Sequence, residues 1–207
     1  MGRREGEFQP TGTFAVNLEA KIGECNSIQV SRSVACVAAM HRVCVDSGRG
    51  GGGVSQEVNS AKGVFGVGCF TPSHYQNVPI ATLQTHVGEC SQPIHSQSPA
   101  CVAAARRWCT TNGHGSAGIA QEAGADEIGV ACIRASSYDV VSIATLTAEQ
   151  SDCDRGDRVQ NQECVAAAHR WCVRQSKGII GLLQESDGVN FGIACLPATW
   201  YGEIALR

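Results

Sequence analysis

A Gln-Glu pair stands twelve residues beyond each of three cysteines, Cys44, Cys109 and Cys172, as Gln56-Glu57, Gln121-Glu122 and Gln184-Glu185. An amide beside a carboxylate can hydrogen-bond the hydroxyls of a sugar, and three weak sites on one molecule gain strength through multivalency. The competing chemistry is structural. A Gln on an apolar face satisfies buried backbone groups, and a Glu on the opposite face closes on an arginine, here Arg42, Arg107 or Arg170. Tyr75, Tyr138 and Tyr201 recur as well, each six residues beyond a cysteine. They either stack on a ligand or pack as corner residues with a hydrogen-bonded hydroxyl. The candidate ligand-binding set is therefore Gln56, Glu57, Gln121, Glu122, Gln184, Glu185, Tyr75, Tyr138 and Tyr201.

Nothing comparable points to catalysis. The chain has no GxSxG, HExxH or Walker motif, and no GxGxxG placed between a strand and a helix. His74, His86, His95 and His114 do not recur with the repeat, and a repeated array seldom holds one asymmetric active site. We expect no enzyme, no catalytic residue and no cofactor. His41 with Cys44 and His169 with Cys172 have the i, i+3 spacing of helical zinc ligands, but Arg106 stands at the matching place in the middle copy and no CxxC occurs. That pattern argues against a metal. Gly48-Arg-Gly-Gly-Gly-Gly53 lacks the GK[ST] ending of a phosphate loop and reads as a connector.

The element that must position these residues is written three times. Cys36-Val-Ala-Ala-Met-His-Arg-Val-Cys44, Cys101-Val-Ala-Ala-Ala-Arg-Arg-Trp-Cys109 and Cys164-Val-Ala-Ala-Ala-His-Arg-Trp-Cys172 are offset by 65 and 63 residues. Small and apolar residues fall three, four, seven and eight positions after the first Cys, which makes one stripe on a helix. Ser33, Ser98 and Asn161 are well placed as N-caps, with Pro99 at the first helical position. Gly48 and Gly113 suit a C-terminal stop. The third copy has no glycine until Gly178, so its helix is expected to run longer. Trp108 and Trp171 lie on the stripe and should be core.

Each helix is followed by a Gln-Glu strand and then by an alternating one: Phe65-Gly-Val67-Gly-Cys69, Ile128-Gly-Val130-Ala-Cys132 or Phe191-Gly-Ile193-Ala-Cys195. Period two puts the large residues and Cys on one face and the glycines on the other, open to close approach. The first copy is two residues longer between the two strands, which fits a hairpin tip. A further strand is expected at 14–18, 78–83, 141–146 and 203–206, so that it appears four times against three helices. The predicted fold is α+β: three tandem α-β-β-β repeats, pseudo-symmetric, with small antiparallel sheets each covered by one short helix. The expected division is an arm and extra strand over 1–24, then repeats over 25–83, 90–146 and 153–207.

Twelve cysteines fall in three registered sets of four, which reads as two disulfides per repeat in an oxidising compartment. The helix ends near its second Cys, and a hairpin returns the strand-end Cys to the same place. This geometry predicts Cys44–Cys69, Cys109–Cys132 and Cys172–Cys195, and it leaves Cys25–Cys36, Cys90–Cys101 and Cys153–Cys164 for the other end of each helix.

Net charge is −3, so no basic field favours nucleic acid. No apolar run reaches the roughly 20 residues of a membrane span. No secretory signal is visible in the first ten residues, although the cysteines point outside the cell. The expected function is a secreted, lectin-like binding module with one site per repeat, taking a glycan or cell-surface ligand. The alternatives are a self-assembling structural protein, forming a homo-oligomer or filament by strand addition, and a secreted toxin-like protein.

Overall fold

The structure is a computed structural model and describes residues 18–27, 32–156 and 160–206. The three CVAA segments each form a helix of 13 residues: α1 (Val34–Asp46), α3 (Pro99–Thr111) and α5 (Gln162–Arg174). The side chains of Ser33, Ser98 and Asn161 accept the N–H of Cys36, Cys101 and Cys164, which secures the first turn. Gly48 and Gly113 take left-handed backbone past the ends of α1 and α3, at φ 66 and 70. The third helix does not run on as expected. It stops at Arg174, and Ser176 adopts φ 55 in place of a glycine. That conformation costs a non-glycine residue about 1 kcal/mol, so packing around the stop outweighs local preference.

Three hairpins follow the helices: β1 (Gly52–Asn59) with β2 (Val64–Phe70), β4 (Ala117–Ala123) with β5 (Glu127–Ile133), and β7 (Ile180–Ser186) with β8 (Asn190–Leu196). The third strand of each repeat leaves its own hairpin. β3 (His74–Pro79) pairs antiparallel with β5, β6 (Ser137–Ser142) with β8, and β9 (Trp200–Ala205) with β2. Three three-stranded antiparallel sheets result, β1-β2-β9, β3-β5-β4 and β6-β8-β7. Each draws strands from two repeats, so the expected repeat boundaries do not follow sheet membership. The exchange runs from first to second, second to third and third back to first.

Two of the expected strands are corrected. Val78-Pro79 and Val141-Ser142 end β3 and β6, but the chain then turns into α2 (Ile80–His86) and α4 (Ile143–Glu149). Ile80 with Leu83, and Ile143 with Leu146, are three residues apart, a spacing that one helical turn places on the same face. Leu83 and Leu146 are fully buried by it, and Ser142 caps the second of these helices at Thr145.

The expected strand at 14–18 lies outside the described residues except for Leu18. Leu18 precedes Cys25 by seven residues, as Leu83 precedes Cys90 and Leu146 precedes Cys153, and it too is fully buried. Its N–H bonds Ala205 O at 3.0 Å, the N–H of Glu19 bonds Leu206 O at 3.1 Å, and the N–H of Ile22 bonds Leu18 O at 3.1 Å. By the repeat offset, Ala205 and Leu206 stand level with Pro79 and Ile80. These are therefore i to i−4 helical bonds made between two distant segments of chain.

One face of each sheet carries a helix. Met40, Val43, Phe65, Val67 and Trp200 fill the first such core. Trp108 with Ile128 and Val130, and Trp171 with Phe191 and Ile193, fill the second and third. The opposite faces meet in a shared core to which all three sheets contribute, with Val54, Phe70, Ile119, Ile133, Ile180, Leu182 and Leu196. Gly53, Gly118 and Gly181 let strand and helix touch: a Cβ on them would lie 2.4 to 2.5 Å from backbone atoms of Met40, Ala105 and Ala168.

All twelve cysteines are paired, Cys25–Cys36, Cys44–Cys69, Cys90–Cys101, Cys109–Cys132, Cys153–Cys164 and Cys172–Cys195. These are the expected partners, and both ends of each helix are stapled. The bonding rules out a zinc site on Cys44 or Cys172. Disulfides at this density are typical of extracellular proteins. Among the described residues no helix is long and apolar enough to cross a membrane.

Candidate functional site

The three glutamines sit at β-bulges. Pairing skips Gln56 between Ser55 and Glu57, Gln121 between Ala120 and Glu122, and Gln184 between Leu183 and Glu185. A bulge re-aims the extra side chain, and these turn to another hairpin. Gln56 Oε1 accepts the N–H of Gly181 at 2.7 Å, Gln121 Oε1 that of Gly53 at 2.8 Å, and Gln184 Oε1 that of Gly118 at 2.8 Å. All three side chains are buried, and each amide nitrogen donates to the carbonyl just before it in the chain. The glutamines therefore join one hairpin to the next.

The glutamates cross the same seams. Glu57 accepts from Arg170 on α5, Glu122 from Arg42 on α1, and Glu185 from both Arg106 and Arg107 on α3, at 2.7 to 3.0 Å. The arginines expected as partners are used, and each belongs to the neighbouring repeat, not the glutamate's own. Gly66, Gly129 and Gly192 pair with these glutamates. The glycines make room for the tyrosines: a Cβ there would lie 2.6, 2.3 and 2.0 Å from the hydroxyl oxygens of Tyr201, Tyr75 and Tyr138.

A residue from the adjacent helix covers each tyrosine. The His41 ring stacks on Tyr75 with centroids 5.4 Å apart, His169 stacks on Tyr201 at 5.0 Å, and the Arg106 guanidinium lies over Tyr138 at 4.1 Å. Every seam thus holds a tyrosine, a glutamate, an arginine and one further helix residue. They differ in access. Tyr201 is only 3 % exposed and Tyr138 is half-buried, whereas Tyr75 is 37 % exposed. Burial first, then the Glu122 carboxylate, push the Tyr75 hydroxyl up to about 12, so it stays protonated and can donate. Burial likewise raises Tyr138 against the opposing charge of Arg106, and it lowers His41 and His169 below the usual imidazole value.

The Tyr75 seam also gathers polar groups that sequence reasoning missed. Asn77 points to the same face of β3 as Tyr75, and its amide donates to Glu127 Oε1 at 2.9 Å. The repeat offset puts Val140 and Glu203 at the places equivalent to Asn77, so the set is not reproduced at the other seams. A second overlooked column is Arg49, His114 and Lys177, which cover Trp200, Trp108 and Trp171. Aligning the repeats by their cysteines exposes both columns. Among the described residues no three His, Cys, Asp or Glu side chains cluster to hold a metal. No family model, curated protein or solved structure matches this chain.

Proposed function

We propose that the protein is an extracellular, non-enzymatic recognition module of lectin-like type, and that its binding surface is the seam between α1 and sheet β3-β5-β4. The observation that carries this is the exposed Tyr75 ring with Arg42, Glu122, Asn77 and Glu127 around it. An aromatic ring packs against the C–H face of a pyranose, while carboxylates, an amide and a guanidinium bond its hydroxyls. The glutamines are buried and take no part in this surface. Glu57, Glu185, Tyr138 and Tyr201 hold the other two seams together, so the reading is one principal site and not one per repeat.

The scaffold, in this proposal, is a pseudo-threefold ring of tandem repeats that exchanges strands until the last closes on the first. Six disulfides make such a ring suited to an extracellular setting. The strand at 203–205, which assembly by strand addition would need to be free, is engaged with β2 of the same chain. A glycan array is the test. Binding that Tyr75→Ala and Asn77→Ala both reduce tenfold or more supports the site. No binding by the unaltered protein at high concentration defeats the lectin reading.

A further inference from the structure

At Tyr138 the chain itself seats a cation between a tyrosine ring and a glutamate. The Arg106 guanidinium lies 4.1 Å over the ring, and its Nη1 donates to Glu185 Oε2 at 3.0 Å. Aromatic face and carboxylate both favour a positive charge there. At the Tyr75 seam His41 stands in the place of Arg106. Burial, the largest influence on it, lowers its pKa, so this imidazole is neutral at neutral pH. Among the described residues no cation of the chain lies over Tyr75.

The carboxylates around Tyr75 are in excess. Asn77, Gly129 and Glu122 form one row across β3, β5 and β4, and directly opposed residues point to one side. Tyr75 and Glu127, each two residues from a member of that row, share its face. The glycine keeps the row open: a Cβ on it would lie 2.3 Å from the Tyr75 hydroxyl and 3.3 Å from Asn77 Oδ1. Arg42 offsets Glu122. Glu127 takes only the Asn77 amide and has no ion pair among the described residues. Strand pairing puts Asn190 and Val64 in its place in the other sheets. Elsewhere Glu185 faces two arginines, and Glu57 and Glu203 face one cation each. Among the described residues, the Tyr75 seam alone joins an exposed tyrosine to an unmatched carboxylate. We propose that the saccharide taken here carries a free amine, as an unacetylated amino sugar does, with its pyranose on Tyr75 and its ammonium donating to Glu127. This rests on the lectin-like reading of the seam. The Tyr75 hydroxyl leans as far as Gly129, two residues or about 7 Å from Glu127 along the strand, a gap that one pyranose spans. An ammonium brings three donors to a carboxylate that only accepts.

The experiment titrates the intact, disulfide-bonded chain calorimetrically with a glucosamine tetrasaccharide and with its N-acetylated counterpart, at about pH 6, where the sugar amines are charged. At low salt the amine form should bind about tenfold tighter, the worth of one charge-assisted hydrogen bond. Added salt should shrink that margin, because the pair is exposed. Glu127→Gln keeps an acceptor for Asn77 and should bring the two sugars to about the same affinity, while Tyr75→Ala should weaken both. Equal binding of the two sugars by the unaltered protein, or a preference that survives Glu127→Gln, overturns the inference and leaves the lectin-like reading standing. Binding of neither overturns it too, and takes the lectin-like reading with it only if the glycan array is blank. A lysine tetrapeptide bound as tightly as the amino sugar also overturns it, since charge alone is then recognised. Should Glu127→Gln fail to fold, the salt dependence of the two sugars on the unaltered protein decides.

Discussion

Gln121 accepts the backbone N–H of Gly53 at 2.8 Å across 68 residues of sequence. With Gln184 on Gly118 and Gln56 on Gly181, every hairpin is bonded to another and no hairpin is terminal. This buried contact replaces water on an N–H group that cannot be solvated. Gln121→Leu should therefore lower stability by about 1–3 kcal/mol, the cost of an unsatisfied buried donor. Urea unfolding of the oxidised protein measures it, and a loss of only a few tenths would show that the glutamine ties carry little.

A second expectation concerns how repeat one fills its core. Trp108 and Trp171 occupy one position of α3 and α5, where α1 has Val43. The missing volume comes from β9: Trp200 joins Val43 in the same buried cluster, at the place where the other sheets have His74 and Ser137. Val43→Trp alone should cost about 1–3 kcal/mol through overpacking, and Trp200→Ser about 3–5 kcal/mol through the cavity it leaves. Combined, the two should cost less than their sum by 1 kcal/mol or more, about the coupling expected of residues in contact. Strict additivity would deny that Trp200 substitutes for the helix tryptophan.

The disulfides were legible because a helix of known length fixes both Cys ends, and a hairpin of known length returns to one of them. The exchange of β3, β6 and β9 was not. The three repeats carry nearly the same pattern in these strands, so hydrophobic periodicity fits an own hairpin and a neighbour's equally well. The same degeneracy hid which helix supplies the arginine to Glu122. The sequence reading put the glutamines on an apolar face of their strands, and the bulge redirects Gln121 to Gly53. For Ile80-Ala-Thr-Leu83 the apolar spacing suits either a strand or one helical turn, and tertiary burial of Leu83 chose the turn. Tyr75 was found as a candidate from its recurrence alone, but the access that separates it from Tyr201 depends on packing.

Acid should weaken the seam between α5 and sheet β1-β2-β9. His169 is buried against Tyr201 with Nδ1 on the carbonyl of Ile179, and burial lowers its pKa from 6.5 despite the nearby Glu57 carboxylate. The folded state therefore holds fewer protons than the unfolded chain just below pH 6.5. The contribution is complete above that pH and is lost as pH falls toward the lowered folded value. His41 shifts in the same direction and adds to the slope. Tm measured from pH 7.5 to 5 should fall, and His169→Gln should flatten part of the fall. An unchanged slope in the variant would assign the acid sensitivity elsewhere.

The helical bonds from Leu18 to Ala205 and from Glu19 to Leu206 make the last expectation the strictest. In repeats two and three the matching residues are continuous, Pro79-Ile80-Ala81-Thr82-Leu83 and Ser142-Ile143-Ala144-Thr145-Leu146. Two residues therefore span the gap from Leu206 to Leu18. A circular permutant that joins them through Ala-Thr, omits 1–17 and 207, and opens at the hairpin tip 124–126 should fold with all six native disulfides. It should also be at least as stable as the parent, because the new link shortens the loop that must close when β9 docks. Non-reducing peptide mapping and thermal unfolding test this. Scrambled disulfides or a Tm far below the parent would mean that β9 and Leu18 do not form one continuous element. In that case the cyclic exchange of strands would fail with it, since β2 would lose the partner that closes the third repeat onto the first.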